Sequence, residues 1–236
     1  MSILPLTIDN AVVTKQGTRI VGPVSVTLEG TGCSILMGPN GSGKTTLLRL
    51  MHGLEKAKKG KVRWQGKKSE IYQRQSFVFQ TPVVMRRSVA ENIAYPLTVR
   101  SVSRKEALRE AAFWIEEVGL KDSIHKEAQV LSGGEKQKLA MARALITKPE
   151  VLFLDEPSTN LDGGSTFEIE NLITKAQNSG TRIVMATHDL GQARRLATEI
   201  IFMYHGSIHE HSINSVFFSG PKTEEARAFV RGDILI

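Results

Sequence analysis

One eight-residue stretch constrains this chain more than any other: Gly38-Pro39-Asn40-Gly41-Ser42-Gly43-Lys44-Thr45. It fits the pattern G-x-x-x-x-G-K-[ST]. The apolar run Cys33-Ser34-Ile35-Leu36-Met37 precedes it and reads as a strand, and Thr46-Leu47-Leu48-Arg49-Leu50-Met51 follows and reads as a helix. Strand, glycine loop and helix are the context in which this motif holds phosphates. Gly41 and Gly43 let the backbone turn tightly and approach an anion closely. The loop N–H groups and the helix N-terminus then face that anion. Lys44 is placed to reach β- and γ-phosphates, and Thr45 to ligate Mg²⁺. A glycine turn before a helix is the plain alternative, and the loop by itself specifies no more than nucleotide phosphates.

The 236 residues allow one large domain or a domain with a sizeable insert. No apolar run approaches the ~20 residues that a membrane helix needs. Met1-Ser2-Ile3-Leu4-Pro5 lacks the basic start and apolar core of a secretory signal, so the chain is expected to stay in the cytosol. Cys33 is the single cysteine, which excludes an intrachain disulfide and a cysteine cluster for zinc. It is expected to pack inside its strand. The net charge of +7 suits anionic partners. Lys56, Lys58, Lys59, Lys61, Lys67 and Lys68 cluster, but no aromatic residues interleave them as a nucleic-acid stacking platform requires. A solvated surface is the expectation there.

In chain order, residues 6–13 and 18–28 are rich in β-branched residues and flank Gln16-Gly17, which predicts a hairpin. After the phosphate loop its helix runs to about Met51, and Gly53 fits a helix stop. Short strands are expected at 61–64 and 76–79, with Gln80 at the end of the second. Between Pro82 and Thr147 the pattern turns helical. Ser103 and Glu106 form a capping box, Leu108, Ala111, Ala112 and Ile115 recur at helical spacing, and Gly119 ends that helix. Strands then return at 151–154, 182–187 and 199–204. Helices are read at 190–197, at 223–231, and around Ile169, Leu172, Ile173 and Ala176 as far as Gly180. This alternation implies a largely parallel α/β sheet with an inserted helical block.

The run Val151-Leu152-Phe153-Leu154 ends in Asp155-Glu156. Acids at the carboxyl end of a buried strand lie where α/β sheets bind ligands. Asp155 suits Mg²⁺ together with the loop Thr45, and Glu156, one residue on, suits polarising a water for in-line attack on the γ-phosphate. A helix cap is the alternative for a lone acid, but two adjacent acids downstream of a phosphate loop argue against it. Leu131-Ser132-Gly133-Gly134-Glu135 is the second informative stretch. Ser132 and Glu135 make a capping box, yet two glycines in a first turn cost about 1 kcal/mol each. Close approach to an anion at a helix N-terminus would call for them.

Taken together, the phosphate loop, Gln80, residues 131–135, residues 151–156, residues 158–162 and His188 resemble the ATP-binding subunits of ABC transporters, over nearly the whole chain. The resemblance implies a P-loop NTPase fold of the ABC ATPase type: a mainly parallel α/β core with an N-terminal antiparallel β subdomain and an inserted helical subdomain. Residues 1–236 would form a single ABC ATPase domain. Within it, 1–81 and 148–210 would make the RecA-like core with the antiparallel subdomain, 82–147 the helical subdomain, and 211–236 a C-terminal extension. The implied nucleotide-binding set is Gly38, Pro39, Asn40, Gly41, Ser42, Gly43, Lys44, Thr45 and Thr46. Ser132, Gly133, Gly134 and Asp162 would serve an ATP held by the other subunit of a head-to-tail homodimer. Thr45, Gln80 and Asp155 would hold Mg²⁺. Lys44, Glu156, His188 and Gln80 would carry hydrolysis, with His188 on the γ-phosphate and holding Glu156, and Gln80 relaying nucleotide state to the helical block.

Residues Val84-Met85-Arg86-Arg87-Ser88-Val89 and Glu91-Asn92-Ile93 resemble the family's docking surface for an integral membrane permease. The resemblance further implies a separate extracytoplasmic substrate-binding protein, a peripheral place on the cytoplasmic face of the inner membrane, and no nucleic-acid partner. Three residues depart from the usual family form. Glu135 stands where Gln is common, Lys138 where Arg is frequent, and Lys15-Gln16 before Gly17 where an aromatic residue commonly stacks on adenine. The last predicts weak hold on the base and poor base selectivity. Ala94-Tyr95-Pro96-Leu97, residues 187–197 and the ending 225–235 look like ATPases of bacterial tungstate importers, and are also similar to phosphate and amino-acid importer subunits. Oxyanion import, tungstate first, is the expected function, with no room after the core for a C-terminal regulatory domain. An ATPase of export or lipoprotein release is the alternative. A soluble ABC protein acting on ribosomes or DNA is disfavoured, because the chain has neither a second cassette nor a long coiled coil.

Overall fold

The computed structural model describes residues 2–233. Met1 and residues 234–236, which include the last part of the 225–235 ending, lie outside the described residues.

β1 (Leu6–Lys15) and β2 (Thr18–Leu28) form the expected hairpin, closed through Gln16 at φ 49° and Gly17 at φ 82°. Left-handed conformation at both turn residues matches the right-handed twist of the strands. Next come β3 (Cys33–Met37), α1 (Lys44–His52) and β4 (Lys59–Trp64). β4 pairs antiparallel with β1, giving a three-stranded sheet in the order β2-β1-β4. β4 begins earlier than the periodicity predicts. Gly60, at φ 79°, packs where a Cβ would fall 2.3 Å from the Asn10 carbonyl oxygen, so a glycine is what lets the strand extend beside the β1 bulge.

The second sheet carries the site. After α2 (Lys68–Gln73), its strands are β5 (Gln75–Val78), β6 (Val151–Asp155), β7 (Arg182–Ala186), β8 (Glu199–Tyr204) and β9 (Ser207–Ile213) together with β3. The order is β5-β6-β7-β3-β8-β9, parallel except for β9. β3, β6 and β7 are buried at every position, which is why each reads as a continuous apolar run. Alternate residues feed two cores. Leu36, Phe153, Val184 and Ile201 pack with α1 and the antiparallel sheet. Ile35, Leu152, Leu154, Met185 and Phe202 pack with the helices on the other face. The strand order leaves β7 between β3 and β6. The phosphate loop, the acid pair and the residues after β7 therefore open on one edge, at the carboxyl ends of the strands.

Between β5 and β6 the chain is helical: α3 (Val89–Val99), α4 (Arg104–Glu117), two 3₁₀ turns and α5 (Gly133–Leu145). Then follow α6 (Gly163–Asn178), α7 (Leu190–Leu196), α8 (Asn214–Ser219) and α9 (Glu224–Arg231). Ile169, Leu172, Ile173 and Ala176 are buried on α6, as their spacing predicts. On α4 the buried stripe is Ala107, Ala111 and Ile115, with Leu108 half-buried and Ala112 exposed. Ala107, Ala111 and Ile115 face the core that α4 shares with α3 and α5. Ser103 caps α4 through the Glu106 N–H, while the Glu106 carboxylate takes the Ser103 hydroxyl.

α2, β9 and α8 are absent from the sequence reading. β9 is polar along most of its length and exists because β8 offers it a ladder. It also runs across residue 210, where the core was expected to give way to a C-terminal extension.

Among the described residues, no helix is long and apolar enough to cross a membrane. Cys33 is buried in β3, and burial pushes its thiol up to about 12. Beside it Arg182, almost fully buried, bonds to Ser34 and Glu199 and ties β7, β3 and β8 together. Burial alone would raise the Glu199 carboxyl. Bonds from His211 and Ser34 and the Arg182 charge outweigh it and bring the carboxyl down to about 2.

Candidate active site

β3 runs directly into the glycine loop. Gly38 turns it at φ 146°, packed where a Cβ would lie 2.1 Å from the Met203 carbonyl oxygen. Gly43, at φ 99°, is the N-cap of α1 and supplies no side chain to the helix N-terminus. The first-turn N–H groups of α1 thus face the loop without a side-chain cap, an arrangement that attracts anions. The β8–β9 turn braces the loop from behind, with Gly206 N–H donating to the Ser42 carbonyl at 3.0 Å. Lys44 is buried, and its Nζ donates to the carbonyls of Gly38 (2.8 Å) and Pro39 (3.0 Å). Burial pushes its pKa down, against the pull of Glu156 and Asp155.

Asp155, at the end of β6, is 1% exposed. Thr45 Oγ1 donates to its Oδ1 at 2.7 Å, and Arg49 Nη2 stands 3.9 Å from its Oδ2. Burial raises the Asp155 pKa, and the Thr45 bond and Arg49 charge oppose that rise. Arg49 is missing from the sequence-predicted set. The signal was there, because Thr45 and Arg49 are four residues apart on one helix and share a face.

Glu156 follows at φ 47°, with its N–H bonded to the Ala186 carbonyl at 2.9 Å. Its carboxylate meets side chains from three directions. Gln80 Nε2 lies 3.3 Å and Thr159 Oγ1 2.9 Å from Oε2, and His188 Nδ1 lies 3.3 Å from Oε1. Gln80 sits just beyond β5 and His188 just beyond β7, the two strands that flank β6.

These groups share a cleft of about 500 Å³ lined by Ile20, Asn40, Gly41, Gly43, Lys44, Thr45, Thr46, Gln80, Glu156, Thr159 and His188. Gly38, Pro39 and Ser42 frame the loop behind it, and Asp155 lies beneath Thr45. Ile20 and Thr159 are further members that the sequence reading missed. No Phe, Tyr or Trp stands in this lining.

Ser132, Gly133, Gly134 and Asp162 are elsewhere. Ser132 caps α5 in a full capping box, in which Glu135 N–H donates to Ser132 Oγ at 3.3 Å and Ser132 N–H to Glu135 Oε2 at 2.8 Å. Glu135 therefore does the capping work that Gln would do. Asp162 caps α6 by accepting from Ser165 N–H at 2.8 Å. The two N-termini are neighbours, since a Cβ on Gly134 would lie 3.1 Å from Ser165 Oγ. Within one chain these four residues form a second cluster that does not line the cleft.

The oxygen donors around Thr45 and Asp155 suit a small, hard divalent cation. Among the described residues no group of three or more His, Cys, Asp or Glu could hold a metal ion. With Thr45 Oγ1 and the Asp155 carboxylate as its protein donors, the site fits a cation that takes the rest of its shell from phosphates and water, as Mg²⁺ does. A larger cleft of about 820 Å³ lies between α4, α5 and α6. Four of its charged residues are paired, Arg74 with Glu150 and Lys175 with Glu117.

A model of the ABC transporter family matches residues 21–159. The chain is 36% identical over 209 residues to the tungstate uptake system ATP-binding protein TupC of Peptoclostridium acidaminophilum, covering 88% of this chain and 98% of that one. It is 34% identical over 230 residues to the phosphate import ATP-binding protein PstB of Cytophaga hutchinsonii, covering 89% and 91%. A solved structure of an ATP binding subunit of an ABC transporter superposes with a TM-score of 0.84 at 18% identity, covering 97% of this chain and all of that one, a likeness of fold.

Proposed function

The chain belongs to the ATP-hydrolysing ABC transporter family, and from that premise we propose that it is the ATPase subunit of an importer for an oxyanion, tungstate first. The observation that carries the cargo is the similarity to a tungstate uptake ATPase over nearly all of that protein's length. Phosphate import is the second reading, favoured by the similarly extensive match to a phosphate import ATPase. Cellular uptake of tungstate, molybdate, sulfate and phosphate, compared with and without the gene, tests both. Loss of phosphate uptake with tungstate uptake intact would overturn the first reading in favour of the second.

In the proposed mechanism the N–H groups of the glycine loop and α1, with Lys44, hold the ATP phosphates. Lys44 exchanges its bonds to Gly38 and Pro39 for phosphate oxygens. Thr45, Asp155 and Gln80 would hold Mg²⁺. Mg²⁺ supplies neutralisation of phosphate charge when bound. Glu156 accepts a hydrogen bond from the attacking water and takes its proton as the water oxygen bonds to the γ-phosphorus and the bond to the β–γ bridging oxygen breaks, with ADP as the leaving group. Gln80, Thr159 and His188 orient that carboxylate, and His188 also contacts the γ-phosphate. Phosphoryl transfer asks the protein mainly for positioning and electrostatics, which a carboxylate gripped from three sides provides.

Ser132, Gly133, Gly134 and Asp162 are assigned to the cleft of a second copy in a head-to-tail homodimer. Their separation from the cleft of their own chain supports this. The permease is assigned to the surface around and after Gln80, where Phe79, Val83, Tyr95 and Val99 are exposed and Arg87 stacks 5.4 Å over Tyr95. Buried Asn92 stiffens that surface, because its amide bonds Met85, Arg87 and Ser88 carbonyls and accepts from Met85 N–H. The subunit would then sit on the cytoplasmic face of the inner membrane, with an extracytoplasmic binding protein choosing the cargo and no role for nucleic acid. Residues 1–236 are read as one ABC ATPase domain.

A further inference from the structure

Glu156 and Asn160 both hold left-handed backbone, at φ 47° and 64°, and neither is glycine. Such residues persist where the surroundings over-determine them. Part of that support lies inside the turn: Thr159 N–H bonds the Glu156 carbonyl and Leu161 N–H the Ser158 carbonyl, both at 3.2 Å. Another part arrives from a different element. Gln192 Nε2, on α7, donates to Ser158 Oγ at 2.7 Å, midway between the two left-handed residues.

Gln192 is itself held in place. It is 1% exposed, and its backbone N–H is taken by Asp189 Oδ1 at 2.9 Å, the cap of α7. Its amide also faces Glu170 Oε1 at 3.4 Å. Glu170, buried on α6, is gripped by the Arg195 fork, Nε at 2.8 Å and Nη2 at 2.7 Å. A carboxylate accepts and does not donate, so the NH₂ side of the Gln192 amide must turn toward Glu170 and Ser158. The relay Arg195–Glu170–Gln192–Ser158 thus joins α6, α7 and the turn after β6. α7 starts two residues after His188, so Gln192 anchors both loops that meet at the Glu156 carboxylate. Neither Gln192 nor Ser158 lines the cleft.

We propose that Gln192 is a positioning residue for hydrolysis, presenting the Glu156 carboxylate through its bond to Ser158. This rests on the reading of Glu156 as the base. The test is a double-mutant cycle in the full chain, using Gln192→Ala, Ser158→Ala and the pair, with Glu156→Gln alongside. ATPase kcat, the Kd for MgATP by titration calorimetry and the melting temperature are measured for each. Expected is a roughly tenfold fall in kcat for either single variant, as misplacement of a reacting group produces. The pair should be no worse than one single, with Kd within about twofold. Ser158→Ala removes one hydroxyl, so it reports even if Gln192→Ala folds poorly. Unchanged kcat, multiplying losses, or a loss that appears in Kd instead overturns the role of Gln192. Normal hydrolysis by Glu156→Gln overturns the underlying reading of the base, and is seen separately.

Discussion

The imidazole of His188 and the carboxylate of Glu156 meet at the mouth of the cleft, Nδ1 to Oε1 at 3.3 Å, although 31 residues of chain separate them. They meet because β6 and β7 are hydrogen-bonded neighbours that end at the same level. Replacing Glu156 by Gln keeps the shape and removes the basic oxygen. The variant should bind ATP normally and hydrolyse it about a hundredfold or more slowly, the usual scale for a lost general base. Single-turnover phosphate release checks this, and a normal rate removes Glu156 from the role.

Lys44 is buried and donates to the Gly38 and Pro39 carbonyls. Lys44→Ala should weaken MgATP binding by about 10–100-fold, the scale of a hydrogen bond to a charged group. Calorimetric titration measures it. Affinity equal to the parent would show that the phosphates are held without this side chain.

Arg49 faces the oxygen of Asp155 that Thr45 leaves free. Residues that orient a metal-ligating carboxylate are worth about 10–100-fold in metal affinity. Arg49→Met should therefore raise the Mg²⁺ concentration needed for tight nucleotide binding by about tenfold, while binding of ATP in EDTA stays unchanged. Asp155→Asn should do more. If Asp155→Asn alone moves the Mg²⁺ curve, Arg49 is a bystander.

The nucleotide cleft offers Ile20 as its large apolar side chain and no Tyr, Phe or Trp. Gln16 and Gly17, in the first hairpin, are exposed. With no ring to stack on a base, ATP and GTP affinities should agree within about fivefold, or ~1 kcal/mol. Parallel titrations decide it, and a preference for ATP beyond about a hundredfold, or ~3 kcal/mol, sinks the idea.

His52 presents its ring edge to Phe77 and Phe153, with centroids at 5.3 and 5.4 Å, and its Nδ1 is buried without a partner. Burial pushes its pKa from 6.5 down to about 4. Between those values the unfolded chain takes up a proton that the folded chain refuses. Stability therefore falls as pH drops from about 6.5 to about 4, by up to ~3 kcal/mol. His52→Phe should flatten that part of the stability curve. Urea denaturation at pH 7 and pH 4.5 measures the slope, and an unaltered slope assigns the acid sensitivity to other groups.

Long buried strands and capped helices are legible in the sequence. β3, β6 and β7 are apolar at most positions because both of their faces are covered, and Ser132 with Glu135 announces the start of α5. Elements whose stability comes from a distant partner were not readable. β9 is polar along most of its length and pairs with β8, and on α4 Ala107 is fully buried while Leu108 packs only partly against the core. In the site, Lys44, Thr45, Asp155 and Glu156 were named from local patterns, and Gln80 and His188 from the resemblance to the family. Arg49, Thr159, Ile20 and Gln192 belong to no motif and emerged from contacts.

From sequence alone came the phosphate loop and the acid pair, because each is a few adjacent residues whose chemistry follows from local spacing: glycines that turn, amides that face an anion, acids that end a strand. Only the tertiary structure decided which of them share a cleft. The order β6-β7-β3 brings the acid pair, His188 and the phosphate loop to one edge, and leaves Ser132 and Asp162 at two helix N-termini away from it. Strand order and helix docking are set by packing between residues far apart in the chain, and a local pattern carries no record of which distant strand becomes its neighbour.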